Sequence, residues 1–314
     1  MKAWVTGAGG FMGVHLVDLL LEKGCDVLAT YFRPTTDHRD LNSQARVEEC
    51  DLRDREAVQR LVDDFKPGKI FHLGAQSYPT VSWTDPWHTV DVNIVGTINI
   101  FEALKGSGCD CKVLNACSSA QYGFVTEDEV PVREDHELKP LHPYGVSKAA
   151  QEMLAYQYYR NFGLQPVSIR IFNTTGPRKT NDVCADLTKR LIEIEKGVNQ
   201  EGKLRVGSLP TKRAITDVRD CSRGFDLALD KGKVGEAYNL SGATVYEIQD
   251  IVDILRESVE FDFELWQDPE LIRPTDEPII FGSTEKLTGA TGWEQEIPLR
   301  QTLQDMLDHW RRVL

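Results

Sequence analysis

Tyr144 and Lys148 stand four residues apart in Tyr144-Gly145-Val146-Ser147-Lys148, a spacing that puts a phenol and an ammonium on one face of a helix. A free phenol titrates near about 10 and is a poor base at neutral pH. A neighbouring ammonium favours the phenolate and is expected to lower that value. Such a pair can move a proton to or from a hydroxyl or carbonyl oxygen. Ser118, in Cys117-Ser118-Ser119-Ala120-Gln121-Tyr122-Gly123, follows the predicted strand Lys112 to Cys117. A hydroxyl at a strand end, where ligands bind in open α/β sheets, can hydrogen-bond the same oxygen. The seven histidines (15, 38, 72, 88, 136, 142, 309) show no HxxxH or HExxH spacing, so no metal site is expected.

The element that has to bring chemistry to these residues lies at the other end of the chain. Ala3-Trp4-Val5 is an apolar run, Thr6-Gly7-Ala8-Gly9-Gly10-Phe11-Met12-Gly13 a glycine turn, and His15 to Leu21 carries apolar residues at helical spacing. Strand, tight loop and helix in that order place free N–H groups and a positive dipole end beside a pyrophosphate, as in a dinucleotide site. The spacing is Gly7-x-x-Gly10-x-x-Gly13 and departs from the G-x-G-x-x-G form. A nicotinamide bound there would move a hydride while Tyr144 moves a proton.

Asp26 to Tyr31 reads as the second strand. NAD-preferring folds place an acid at its end and NADP-preferring ones an arginine. Thr30 and Arg33 stand there, so NADP is the expected cofactor, with NAD as the alternative. Val47 to Leu52 reads as a third strand that puts Asp51 near an adenine ring. A helix from Glu56 to Phe65, a buried strand Lys69 to Leu73 and a helix around Asp91 to Leu104 follow. The alternation predicts an α/β fold, a Rossmann-type doubly wound parallel sheet with a smaller C-terminal α/β substrate-binding portion. We assign residues 1–173, plus about 213–241, to the dinucleotide-binding domain, and about 174–212 and 242–314 to the substrate-binding one.

With 314 residues the chain can bury a large core. Its 36 Lys and Arg against 49 Asp and Glu give a formal charge of −13. That charge argues against a nucleic acid or an anionic membrane as partner, but two or three local arginines suffice for a small anionic substrate. Seven cysteines without paired CxxC spacing look like reduced thiols. No apolar stretch approaches a membrane span and no leader pattern precedes the glycine turn, so a cytoplasmic location is expected. Trp83 and Trp87 flank Asp85-Pro86 in an expected loop over the site, where they either pack against a sugar or anchor a dimer helix.

Together the glycine turn, Ser118 and the Tyr144/Lys148 pair resemble the extended short-chain dehydrogenase/reductases that act on nucleotide sugars, over nearly the whole chain. Within that family the chain is most similar to the branch of GDP-mannose 4,6-dehydratases and GDP-6-deoxy-D-mannose reductases. The similar pieces are His72-Leu73-Gly74-Ala75-Gln76-Ser77, Phe172-Asn173-Thr174-Thr175-Gly176-Pro177-Arg178, Arg213 to Asp220 and Arg273-Pro274-Thr275-Asp276. The resemblance implies a catalytic triad of Ser118, Tyr144 and Lys148, with Asn93 behind it. It implies a cofactor site of Gly7, Gly10, Phe11, Met12, Gly13, Thr30, Arg33, Asp51, Leu52, Leu73 and Ala75 together with Tyr144 and Lys148. For a GDP-sugar it implies Gln76, Ser77, Ser119, Ala120, Asn173, Arg178, Arg213, Arg273 and Asp276, the arginines meeting the diphosphate or nucleoside.

One departure from that branch bears on the reaction. Its dehydratases carry a Glu two residues before the tyrosine matching Tyr122, and this chain has Ala120. That absence argues against dehydration and favours a redox-neutral reaction, while the similarity to the reductases at Pro143 to Lys148 and Phe172 to Pro177 implies reduction at C4 of a GDP-4-keto-6-deoxy-hexose. The alternatives are a redox-neutral GDP-sugar epimerase or pyranose/furanose mutase that keeps its dinucleotide, with 4,6-dehydration or a non-catalytic nucleotide-binding role behind them. Homodimers are usual in the family, and the helices near Asp91 to Leu104 and Ala149 to Phe162 are the expected contact.

Overall fold

The computed structural model describes residues 1–34, 36–199, 201–271 and 279–314. Seven strands form one parallel sheet: β1 (Lys2–Thr6), β2 (Asp26–Tyr31), β3 (Arg46–Glu49), β4 (Lys69–His72), β5 (Lys112–Ser118), β6 (Gln165–Ile171) and β7 (Ala237–Leu240). Their spatial order is β7-β6-β5-β4-β1-β2-β3, so the winding reverses between β1 and β4. In open α/β sheets the ligand crevice opens at that reversal.

Alternation along each strand sends side chains to two faces, and each face is capped by helices. On one, Val5, Phe71, Leu114 and Ile169 pack with α1 (Phe11–Glu22) and α8 (Val218–Lys231). On the other, Trp4, Leu28, Ile70 and Val113 pack with α2 (Arg55–Phe65), α5 (Gly96–Ser107) and α6 (Pro143–Phe162). Removing a fully buried ring such as Trp4 or Phe71 from a core of this kind costs about 3–5 kcal/mol. Short-range chemistry marks the helix ends. Asp54 accepts from the N–H groups of Glu56 and Ala57 to start α2, and Gly163 at φ 69° ends α6.

Between β4 and α6 lie the short helices α3 (Pro79–Thr84) and α4 (Pro86–Val90), then a π turn, Asp91–Val95. Trp83 and Trp87 therefore sit on helices packed beside α6 and not in a loop, and both rings are exposed.

A second core gathers α7 (Val183–Glu195), α9 (Ile248–Ser258) and α11 (Leu299–Val313). Short strands join it, Lys203–Val206 pairing with Glu264–Gln267 and Lys212–Ala214 with Val245–Glu247. One stretch within 242–314 goes elsewhere. Leu287 on α10 (Glu285–Thr291) and the buried Trp293 pack into the sheet core with Phe225 and Leu240. The tryptophan is drawn there because its Nε1 donates to the Asp220 carbonyl on α8.

Candidate active site

The loops after β1, β4, β5 and β6 face one cavity of about 1080 Å³, closed on its far side by the second core. That is at or just above the ~300–1,000 Å³ usual for ligand sites.

Its first wall is the glycine turn. Gly7 (φ 65°) lies so close to the loop after β4 that a Cβ there would come within 2.7 Å of the Gly74 Cα. A Cβ on Gly13 would meet the Gly7 carbonyl at 2.4 Å, which only a glycine avoids. α1 begins at the cavity with Gly10 as its cap, no side chain on its first N–H groups and no acid in its first turn. That end fits a diphosphate, whose oxygens need such donors. Phe11, Met12, Leu52, Leu73, Ala75 and Asp51 line the same wall, and Arg53 pairs with Asp51 and holds its carboxyl below the usual range.

At the end of β2 the wall carries Arg33, in a left-handed conformation (φ 45°), together with Pro34 and Thr36. Thr30, one residue inside the strand, is buried instead, with its Oγ1 accepting from Trp4 Nε1 at 2.9 Å. Alternation sends it into the core, away from the cavity.

Ser118 at the tip of β5 and Tyr144 and Lys148 in the first two turns of α6 meet in the middle of the cavity. The Ser118 Oγ caps the turn that follows by accepting from Ala120 N–H. His142 caps α6, its Nδ1 accepting from Gly145 N–H, and its ring stacks beside Tyr144. Lys148 is buried, donates to the Ala116 carbonyl at 2.8 Å, and lies 5.9 Å from the centre of the Tyr144 ring. Burial lowers its ammonium to about 8.

The expected lowering of Tyr144 is not found. Burial pushes its phenol up to about 12, and the bond to Ser118 only partly offsets this. The lysine spends a donor on the Ala116 carbonyl and makes no bond to the phenol, so desolvation wins.

Behind the triad a hydrogen-bond network fixes the loops. Asn93, in the π turn, accepts from Gln76 N–H at 2.7 Å and donates to the Gln76 carbonyl and to Ser147 Oγ. Gln76 itself turns its amide to Thr89 and Tyr78, so it braces the loop and does not reach the cavity. Position 120 offers no carboxylate, and the adjacent Gln121 is committed to Ser118 N–H and Glu152.

In the sugar half, Ser77, Ser119, Ala120, Asn173 and Arg213 line the cavity, and the Asn173 Nδ2 is buried there without a hydrogen-bond partner. Arg178 does not join them. It takes a left-handed conformation (φ 74°) after Gly176-Pro177 and turns towards Asp40, 3.8 Å away. Arg273 and Asp276 lie outside the described residues. The sequence reading missed the α7 face Val183, Asp186, Leu187 and Arg190, although its spacing of three, four and seven residues is that of one helical stripe. Among the described residues no group of three or more His, Cys, Asp or Glu could hold a metal, and no helix is long and apolar enough to cross a membrane.

Comparison with known proteins agrees with this geometry. The family described as GDP-mannose 4,6 dehydratase matches residues 4–306. The chain belongs to that family. It is thereby an enzyme of the extended short-chain dehydrogenase/reductase kind. It is 29% identical over 310 residues to the GDP-6-deoxy-D-mannose reductase of Pseudomonas aeruginosa, covering 98% of this chain and 97% of that one. It is 27% identical to the GDP-mannose 4,6-dehydratase of Yersinia enterocolitica, over 98% and 92% of the two chains. Among solved structures, RMD of Pseudomonas aeruginosa complexed with NADPH superposes with a TM-score of 0.85 at 28% identity, over 100% and 99% of the chains. The UDP-glucose 4-epimerase of Thermotoga maritima with UDP-glucose superposes with a TM-score of 0.90 at 26% identity, over 99% of each.

Proposed function

We propose that the protein is a nucleotide-sugar reductase that uses NADPH to reduce C4 of a GDP-4-keto-6-deoxy-hexose. The observation that carries this reading is the meeting of Tyr144 and Ser118 in the cavity that begins at the glycine turn. A group that keeps its proton at neutral pH is a donor, and reduction of a ketone needs a donor to the new alkoxide. NADPH supplies the hydride when bound. Ser118 orients the carbonyl, Tyr144 gives its proton to the oxygen, and Lys148 holds the ribose side of the dinucleotide with the two ammonium protons that Ala116 leaves it.

Arg33 supports NADPH over NADH, because a guanidinium suits a 2′-phosphate and no acid ends β2. Asn173 and Arg213 supply donors for the sugar diphosphate. Water loss at C5 and C6 is disfavoured. Of the acids lining the cavity, Asp51 pairs with Arg53, Asp182 caps α7, and Asp186 stands on that helix a turn further on.

The second reading, a redox-neutral epimerase, is favoured by Ala120 and by the fit to UDP-glucose 4-epimerase at a TM-score of 0.90. The two separate on mixing the protein with GDP-4-keto-6-deoxymannose and NADPH. Stoichiometric loss of nicotinamide absorbance with gain of two hydrogens on the sugar is expected. Unchanged absorbance with an isomerised sugar of the same mass would replace the reductase by the epimerase.

A homodimer is part of the proposal. Val146 and Met153, seven residues apart on α6, leave exposed apolar side chains on one stripe of that helix, and Trp83 and Trp87 are exposed on α3 and α4 packed beside it. Light scattering that gave a monomer at micromolar concentration would remove it.

A further inference from the structure

The end of the cavity furthest from the glycine turn is a slot between α7 and the segment that follows Lys203–Val206. Val183 and Leu187 of α7, Val206, Ile248 and Leu271 give it apolar walls, and all but Leu271 pack in the second core. Such walls suit the faces of a flat heteroaromatic ring.

Polar groups on the same stripe of α7 decide which ring fits. Asp186 and Arg190 are one turn apart, both line the cavity, and they alternate along it with Val183 and Leu187. Their charged ends are 3.7 Å apart, too far for a tight pair. The Arg190 Nη1 donates to the Arg205 carbonyl, which aims the guanidinium and leaves its remaining N–H groups.

Asp186 differs from the other two acids in the cavity. Asp51 is neutralised by Arg53, and Asp182 accepts from Ala185 N–H at 2.7 Å. The Asp186 carboxylate, 51% exposed, has only the distant Arg190 as a charged partner among the described residues.

Resting on the reading of the substrate as a GDP-sugar, we propose that Asp186 and Arg190 select the guanine base. The carboxylate accepts from N1–H and from the 2-amino group, and the guanidinium donates to O6. O6 adjoins N1–H on the ring, so acceptor and donor must be neighbours, as they are on this stripe. Adenine and cytosine present a ring acceptor and an amino donor at the matching positions, which leaves both protein groups opposed. Uracil offers one N–H where guanine offers two, and fills less of the slot.

Inosine diphosphate lacks only the 2-amino group, so it isolates the Asp186 contact. We would measure dissociation constants of GDP, IDP and UDP by calorimetry for the wild type, Asp186→Ala and Arg190→Met. One charge-assisted hydrogen bond predicts a wild-type preference of about tenfold or more for GDP over IDP. Asp186→Ala should bring GDP and IDP to within about twofold while dinucleotide affinity and Tm stay unchanged, because Asp186 is a surface position. Arg190→Met should weaken GDP and IDP alike and keep their ratio. An Asp186→Ala protein that retained the wild-type GDP/IDP ratio would overturn the assignment and leave the GDP reading standing. Tighter wild-type binding of UDP than of GDP would instead overturn the GDP reading itself.

Discussion

The two ends of the cavity are built from different material. At the end proposed for the dinucleotide the diphosphate wall is backbone, residues 7–13, held by glycines so close together that one methyl would collide, with the Arg33 and Asp51 side chains further along it. At the sugar-nucleotide end the groups facing the cavity are side chains, Asn173, Asp186, Arg190 and Arg213, gathered from a strand end, a helix and a later strand. A backbone site cannot be altered without altering the fold, whereas a side-chain site can be retuned one contact at a time. Tyr144 and Lys148 sit between the two: by the proposed reading Tyr144 serves the reacting oxygen and Lys148 the adjoining ribose, so a change at Tyr144 should lower turnover and leave both ligands bound.

The largest effect tests that middle position. Tyr144→Phe removes the proton donor and keeps the ring, and should lower kcat by about 10³-fold. Dinucleotide affinity and Tm should be unaffected, as read by fluorescence titration and melting. Turnover within about tenfold of wild type would mean that another group protonates the sugar oxygen.

Gly13→Ala should be next, and should show the two costs of a backbone site together. Its Cβ would lie 2.4 Å from the Gly7 carbonyl and 2.6 Å from the Ala8 Cα, atoms that cannot swing aside. Overpacking of this kind costs about 1–3 kcal/mol. We expect a Tm lower by about 2–5 °C, with dinucleotide affinity reduced at least about tenfold. Asp186→Ala, by contrast, should leave Tm in place, and loss of stability there would erase the distinction between the two ends.

Lys148→Met sharpens the view of the middle. The folded ammonium titrates at about 8 against 10.5 for a free lysine, so the folded chain gives up this proton first. Between those values the unfolded chain binds more protons and stability rises with pH, while below about 8 the whole penalty is present. That penalty is about 3 kcal/mol at most. Lys148→Met should therefore melt above wild type at neutral pH, with the gap closing by about pH 10, even as turnover falls. Wild-type turnover should itself decline above about pH 8 as the ammonium is lost. A variant that melted below wild type at neutral pH would show that the buried charge is stabilised by more than Ala116.

Legibility followed the same division. The glycine turn, the strand-helix alternation and the triad could be read in the sequence because each is a local pattern: contiguous glycines, a period, an i,i+4 pair. Thr30 was misread because it stands one residue inside β2, where alternation points it at Trp4. Gln76 was misread because its neighbours in space, Thr89 on α4 and Asn93 in the π turn, stand 13 and 17 residues further along the chain. The behaviour of Tyr144 could not be foreseen from spacing, since burial and not the lysine dominates its titration. The α7 stripe was legible in principle, but nothing local told that its wet side faces a cavity.

Arg178 carries the smallest prediction and the plainest test of which arginines serve the sugar-nucleotide end. Resemblance implies that it meets the diphosphate or nucleoside, and the structure turns it to Asp40 at 3.8 Å. A partly exposed pair at that distance contributes little. Holding a non-glycine residue at φ 74° costs about 1 kcal/mol, which glycine avoids at the expense of a similar gain in unfolded-chain entropy. The terms nearly cancel, so Arg178→Gly should shift Tm by less than about 2 °C. Since the side chain does not line the cavity, kcat/KM should stay within about twofold. The corresponding change at Arg213, Arg213→Ala, should raise KM at least about tenfold, because a guanidinium on a diphosphate makes strong charge-assisted bonds. If Arg178→Gly instead raised KM as much as Arg213→Ala, the loop after Gly176 would have to swing Arg178 inward when substrate binds, and the sugar-nucleotide end would be assembled by its ligand and not beforehand.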